Sequence, residues 1–85
     1  DYMKLNLKGL KLTDAQVIRF TNVFIRYLRL EEIDLSFNEL TENGIKYILN
    51  MKLIELKLIN IEHNKISVSA YDELLLYDQP RIIQI

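Results

Sequence analysis

Leucine and isoleucine recur along this chain in short alternating clusters, each followed by a polar turn and then by apolar residues three apart. The clearest cluster is Leu30-Glu-Glu-Ile33-Asp-Leu35-Ser-Phe-Asn38-Glu-Leu40-Thr41. A second, Leu56-Lys-Leu-Ile59-Asn-Ile61-Glu-His-Asn64-Lys-Ile66-Ser67, fills the same slots 26 residues later. Upstream, Leu5-Asn-Leu7-Lys-Gly-Leu10-Lys-Leu12-Thr13 is a third copy at an offset of 28, with Leu10 where the others carry Asn. Ile83-Gln-Ile85 opens a fourth. Alternation of this kind predicts strands with one face buried.

The segments between these strands align as well. Five residues after Leu12, Leu40 and Ile66 stand Val17, Ile45 and Tyr71, and eight residues after them Phe20, Ile48 and Leu74. Apolar positions three apart predict a helix that presents one face to a core. Thr13-x-x-Gln16 is a capping-box pattern for the first helix, Thr41 is the expected cap of the second, and Ser67 and Ser69 read as starts of the third, Ser69 through the weaker pattern Ser69-x-x-Asp72. Gly44, inside the first turn of the second helix, is expected to cost that helix some stability. Pro80 is expected to end the third helix, which the pattern runs from Tyr71 to Asp78.

Each unit is thus a strand, a turn and a helix. The units run over about 2–29, 30–55 and 56–79, with a partial fourth over 80–85, all within a single domain covering 1–85. A fixed period in this range reads as a stacked array. Ile33 and Leu35 point inward from the strand, Ile45 and Ile48 meet them from the helix, and neighbouring units must stack to bury them. Asn38 and Asn64 sit where the chain leaves the strand, where a buried amide can pair with backbone groups left open by the turn. Leu10 cannot do this, so the first unit is expected to be a terminal variant or locally rearranged.

With its L-x-x-L-x-L-x-x-N-x-L slots and its Leu40-Thr-Glu-Asn-Gly44-Ile segment, the chain resembles the leucine-rich-repeat superfamily, most closely the ribonuclease-inhibitor-like class. The resemblance implies an α/β fold: a short, curved solenoid with a parallel sheet on the concave face and helices on the convex face. It also implies a protein-recognition module. It carries over no catalytic residues.

Residues flanking the buried leucines of a strand point to the opposite face. On the first strand these are Lys4, Asn6 and Lys8, on the second Glu32, Asp34 and Ser36, on the third Leu58, Asn60 and Glu62, and on the fourth Ile82 and Gln84. Read across the sheet, this face runs from basic through acidic to partly apolar. Leu58 and Ile82 form an apolar pair open to a partner. Glu32 and Asp34 form an acidic spot that can receive a basic side chain. Phe37, just before the turn Asn, could anchor a partner, but packing under the loop that leaves the strand is the favoured expectation.

Charge and composition narrow the function. Hydrophobic residues make up 49% of the chain, enough for a core, and 11 basic against 12 acidic side chains leave a net charge of −1, without the basic excess of a nucleic-acid binder. The first third is rich in Lys and Arg, but the acidic second strand would repel a phosphate backbone laid across the sheet. No apolar run approaches the roughly 18 residues of a membrane span. With no cysteine and no Asn-x-Ser/Thr site, the sequence points to the cytoplasm. His63 is the only histidine, and no glycine-rich phosphate loop exists, so no metal, cofactor or catalytic role is expected. The reading is therefore a non-enzymatic module that binds a protein or peptide on the concave sheet. The alternative is a spacer or self-assembly element acting through its open ends, with weak self-association through the C-terminal strand.

Overall fold

The structure is a computed structural model that describes residues 3–51, 53, 55–76 and 82–85. The alternating stretches become strands β1 (Met3–Asn6), β2 (Leu30–Asp34), β3 (Leu58–Asn60) and β4 (Ile82–Gln84) of one parallel sheet, in chain order. Parallel neighbours need a crossover. Three helices serve, α1 (Asp14–Val23), α2 (Glu42–Leu49) and α3 (Val68–Leu75), with a short 3-10 turn over Ile25–Tyr27 after the first. The chain is therefore a mixed α/β protein built on a parallel sheet.

The register places equivalent residues side by side. Leu5, Ile33, Ile59 and Ile83 form the inward row, and the register rows on either side of it are Lys4, Glu32, Leu58 and Ile82, and Asn6, Asp34, Asn60 and Gln84. Ile33, Leu35, Ile59 and Ile61 are buried against Val17, Ile45, Ile48 and Leu74 of the helices, while Leu5, Phe20, Tyr71 and Ile83 pack at the margin. The side chains of Ile82 and Gln84, and all of Asp78 and Pro80, lie outside the described residues.

Capping follows the turn register. Gln16 Oε1 accepts the Thr13 backbone N–H at 3.0 Å, and Thr41 Oγ1 accepts the Asn43 N–H at 3.3 Å. Of the two serines read as helix starts, Ser67 is the residue before α3 and Ser69 lies within its first turn, because Ser67 occupies the slot of Thr13 and Thr41. The cost expected of Gly44 is also offset. A Cβ there would collide with the Asp14 carboxylate, so glycine leaves that carboxylate the room to sit against the start of α2.

Spacing within a unit is uneven. From Lys4 to Asp14, Glu32 to Glu42 and Leu58 to Val68 the chain takes 10 residues each time, from strand to first helical residue. The return from helix start to the next strand shortens, with Asp14 to Glu32 spanning 18 residues, Glu42 to Leu58 16 and Val68 to Ile82 14.

Candidate functional site

The helices cover one face of the sheet. Across the other runs a groove of about 250 Å³, walled by Lys4, Asn6, Glu32, Asp34, Leu58 and Asn60. The register brings these residues together from three strands, as alternation within each strand dictates.

The two rows differ in how their side chains are used. In the first, Lys4 Nζ lies 3.3 Å from Glu32 Oε2, so the basic and acidic ends expected of this face partly neutralise each other. Both groups are substantially exposed, which limits the pair's contribution to stability to about 0–1 kcal/mol. Half-buried Leu58 completes the row, with the β4 backbone at Ile82 beside it. In the second row the side chains of Asn6, Asp34 and Asn60 each serve their own backbone. Asn6 Oδ1 accepts the Lys8 N–H at 3.0 Å, Asp34 Oδ1 the Ser36 N–H at 2.9 Å, and Asn60 Oδ1 the Glu62 N–H at 3.0 Å. These are Asx turns that bend the chain off each strand.

A third row, beyond the strand ends, holds Lys8, Ser36 and Glu62, and here two expectations change. Ser36 is only 2% exposed and donates its hydroxyl to Asp34 Oδ1 at 2.6 Å, so it is not an open contact residue. Strand alternation ends at Asp34, and the Asx turn swings Ser36 inward. Phe37, in turn, does not pack under the loop: it is 50% exposed and stacks on His63, with ring centroids 4.3 Å apart. Lys8 Nζ lies 5.3 Å from the centre of the Phe37 ring. Gly9, Phe37 and His63 occupy one slot of the repeat, and all three have positive φ, at 69°, 57° and 57°. Glycine takes this conformation freely, whereas Phe37 and His63 hold it at a cost.

Two ladders hold the units together beneath this face. Asn38 Oδ1 accepts the N–H of Leu10 at 3.1 Å and of Leu12 at 2.9 Å, in the unit before it. Its Nδ2 donates to the carbonyls of Leu7 and Leu35, both at 2.9 Å, and of Ser36 at 3.2 Å. Asn64 does the same one unit on, with Leu40 N–H at 2.9 Å and the Leu35 carbonyl at 2.8 Å. Leu10 holds the corresponding slot of the first unit, and among the described residues no unit precedes it for an amide to reach.

The second ladder runs the other way and was not foreseen from the sequence. Asp14 Oδ1 accepts the Thr41 N–H at 2.9 Å and its other oxygen accepts the Thr41 hydroxyl. Glu42 likewise receives the Ser67 N–H at 3.4 Å and its hydroxyl at 3.3 Å. Hydrogen bonds from its own backbone N–H and that of Ser67, then the Ser67 hydroxyl and the Lys46 charge, outweigh partial burial and hold the Glu42 carboxyl below its ordinary value. The signal was present as Thr-Asp, Thr-Glu and Ser-Val at the three helix starts, but adjacent helix-start residues read as local caps.

Among the described residues no three His, Asp or Glu side chains come together in a way that could hold a metal ion, and no helix is long and apolar enough to cross a membrane. The face thus combines a charged pair, three side chains that hold their own turns and a half-buried apolar residue. No protein-family model, no curated protein and no solved structure matches this chain.

Proposed function

We propose that the chain is a short leucine-rich-repeat solenoid that recognises a protein or peptide on the open face of its sheet, without catalysis. The observation that supports this most is the row Lys4, Glu32 and Leu58 in one groove, whose side chains are not needed for the turns behind them. The amide ladder supports the repeat reading, because each Asn serves two consecutive units as stacked repeats require. A cysteine-free chain without Asn-x-Ser/Thr sites suits a cytosolic module.

Asp34 and Asn60 make poor probes of this face, since each holds a turn. Glu32→Lys and Leu58→Glu change the face without touching the Asx turns. The test is capture of partners from the source cell's lysate on the parent chain and on each variant, with thermal unfolding as the control for folding. A protein held by the parent and lost from both folded variants supports recognition by this face. Equal capture by parent and variants sinks it.

A further inference from the structure

The helices repeat their neighbours' contacts slot by slot. On α2 the side facing the next unit carries Glu42, Lys46 and Leu49: Glu42 meets Ser67, Lys46 Nζ lies 2.5 Å from Glu73 Oε1, and Leu49 is only 4% exposed. The same slots of α3 hold Val68, Asp72 and Leu75, all exposed, with Leu75 at 52%. At the opposite end, the slot through which Tyr47 of α2 and Glu73 of α3 meet the helix before them is Arg19 on α1, with Gln16 and Val23 on the same side of that helix. Together with Phe20 and Phe24, these border an apolar cleft of about 380 Å³.

We propose that this chain associates head to tail with a second copy, α1 of one docking on α3 of the other, through an ion pair between Asp72 and Arg19. The register predicts that pairing. Asp72 stands in the slot of Lys46, and Arg19 in the slot of Glu73, so the Lys46–Glu73 ion pair between α2 and α3 recurs at the junction with its signs exchanged. Val68 and Leu75 then cover the apolar cleft around Phe20 and Val23.

The wider charge distribution agrees. Residues 3–29 carry six basic side chains and one acidic residue, whereas residues 30–76 carry four basic and nine acidic. Two leading ends would repel each other, and so would two trailing ends, while a leading end attracts a trailing one. A contact of this kind is heterologous and can propagate.

The junction also involves the sheet. With α1 of the second copy against α3, its β1 falls in the slot beside β3, which β4 fills through three register pairs. Association and β4 pairing therefore exclude each other, so the complex is weak and forms only as the chain is concentrated.

Sedimentation of the whole 85-residue chain from micromolar to millimolar concentration at low salt tests this. The expected result is a mass that climbs above 10.1 kDa with concentration and falls back in 0.5 M salt. Arg19→Glu alone and Asp72→Arg alone, both at exposed sites, should keep parental thermal unfolding and lose association. An equimolar mixture of the two should regain it, because opposite charges again meet across the junction. In the associated state the amides of Ile83, Gln84 and Ile85 should exchange faster with solvent. A parent chain that stays at 10.1 kDa leaves these ends to some other protein and overturns the proposal. So do single variants that associate like the parent, or a mixture that does not recover.

Discussion

The Asp14 carboxylate accepts both the backbone N–H and the hydroxyl of Thr41, 27 residues further along the chain. With Asn38 reaching in the opposite direction to Leu10 and Leu12, the first and second units are tied by side chains from each. Glu42 and Asn64 repeat the arrangement between the second and third. The apolar core supplies the bulk of the driving force, and these polar ties fix which residues sit opposite one another.

Gly44→Ala separates helix propensity from packing. In an open helix the change should stabilise by about 1 kcal/mol. Here the added methyl displaces the Asp14 carboxylate and its hydrogen bonds to Thr41, which are worth about 1.5–3 kcal/mol. The expected net effect is destabilisation by about 1 kcal/mol in urea unfolding. A more stable variant would show that the carboxylate moves aside at no cost.

Asn38→Leu should cost about 2–4 kcal/mol, because at a nearly buried turn it removes the amide partner of the Leu10 and Leu12 N–H groups and of the Leu7 carbonyl, while the Leu35 and Ser36 carbonyls keep Asn64 and the Gly9 N–H. The reciprocal change, Leu10→Asn, puts an amide at a position 55% exposed and should stay within about 0.5 kcal/mol of the parent. Chemical denaturation of the two variants side by side measures the asymmetry. Equal losses would mean that the amide ladder contributes little.

Acid should loosen the second interface through Glu42. Its folded-state carboxyl titrates below the ordinary value of 4.5, so its contribution is fully present above that pH and is lost as the pH falls through the lower folded value. Glu42→Gln removes the charge at every pH. The difference in Tm between parent and variant should therefore be largest near pH 7 and shrink below about pH 4.5. A difference that is constant down to pH 3 would rule out this linkage.

The left-handed slot of Phe37 gives a further check. Glycine already occupies it at Gly9, so Phe37→Gly trades the stack on His63 for relief of backbone strain and should be close to neutral. Phe37→Val loses the stack and forces a β-branched residue into positive φ. It should unfold about 1–2 kcal/mol below the glycine variant.

The strands, their register and the inward row were legible because a period of two and offsets of 28 and 26 leave few alternatives. The outward positions of Lys4, Glu32 and Leu58 followed from the same alternation. Ser36 did not, since alternation is informative only while the chain remains a strand, and the Asp34 turn ends it two residues earlier. Phe37 was misjudged because an aromatic residue in an apolar repeat looks like core, and positive φ leaves no mark in sequence. Both Ser67 and Ser69 read as starts of α3 in the sequence, because Ser-x-x-Asp imitates a capping box two residues past the repeat slot that Ser67 fills. The Asp14 and Glu42 ties stayed hidden because their partners are about a full unit away, and Val68 breaks the series.

The constant 10 residues from strand to helix start carry both ladders, whereas the return path shrinks from 18 to 16 to 14. Tolerance to insertion is therefore lopsided. One residue added between Glu32 and Glu42 would throw the Asn38 amide and the Thr41 cap out of phase with the unit on either side. One residue added to the return, between Asn50 and Leu56, would be taken up as slack, much as the 3-10 turn over Ile25–Tyr27 takes up the longer return of the first unit. Length variation among chains built on this plan should accumulate behind the helices, leaving the groove-bearing half unchanged in length.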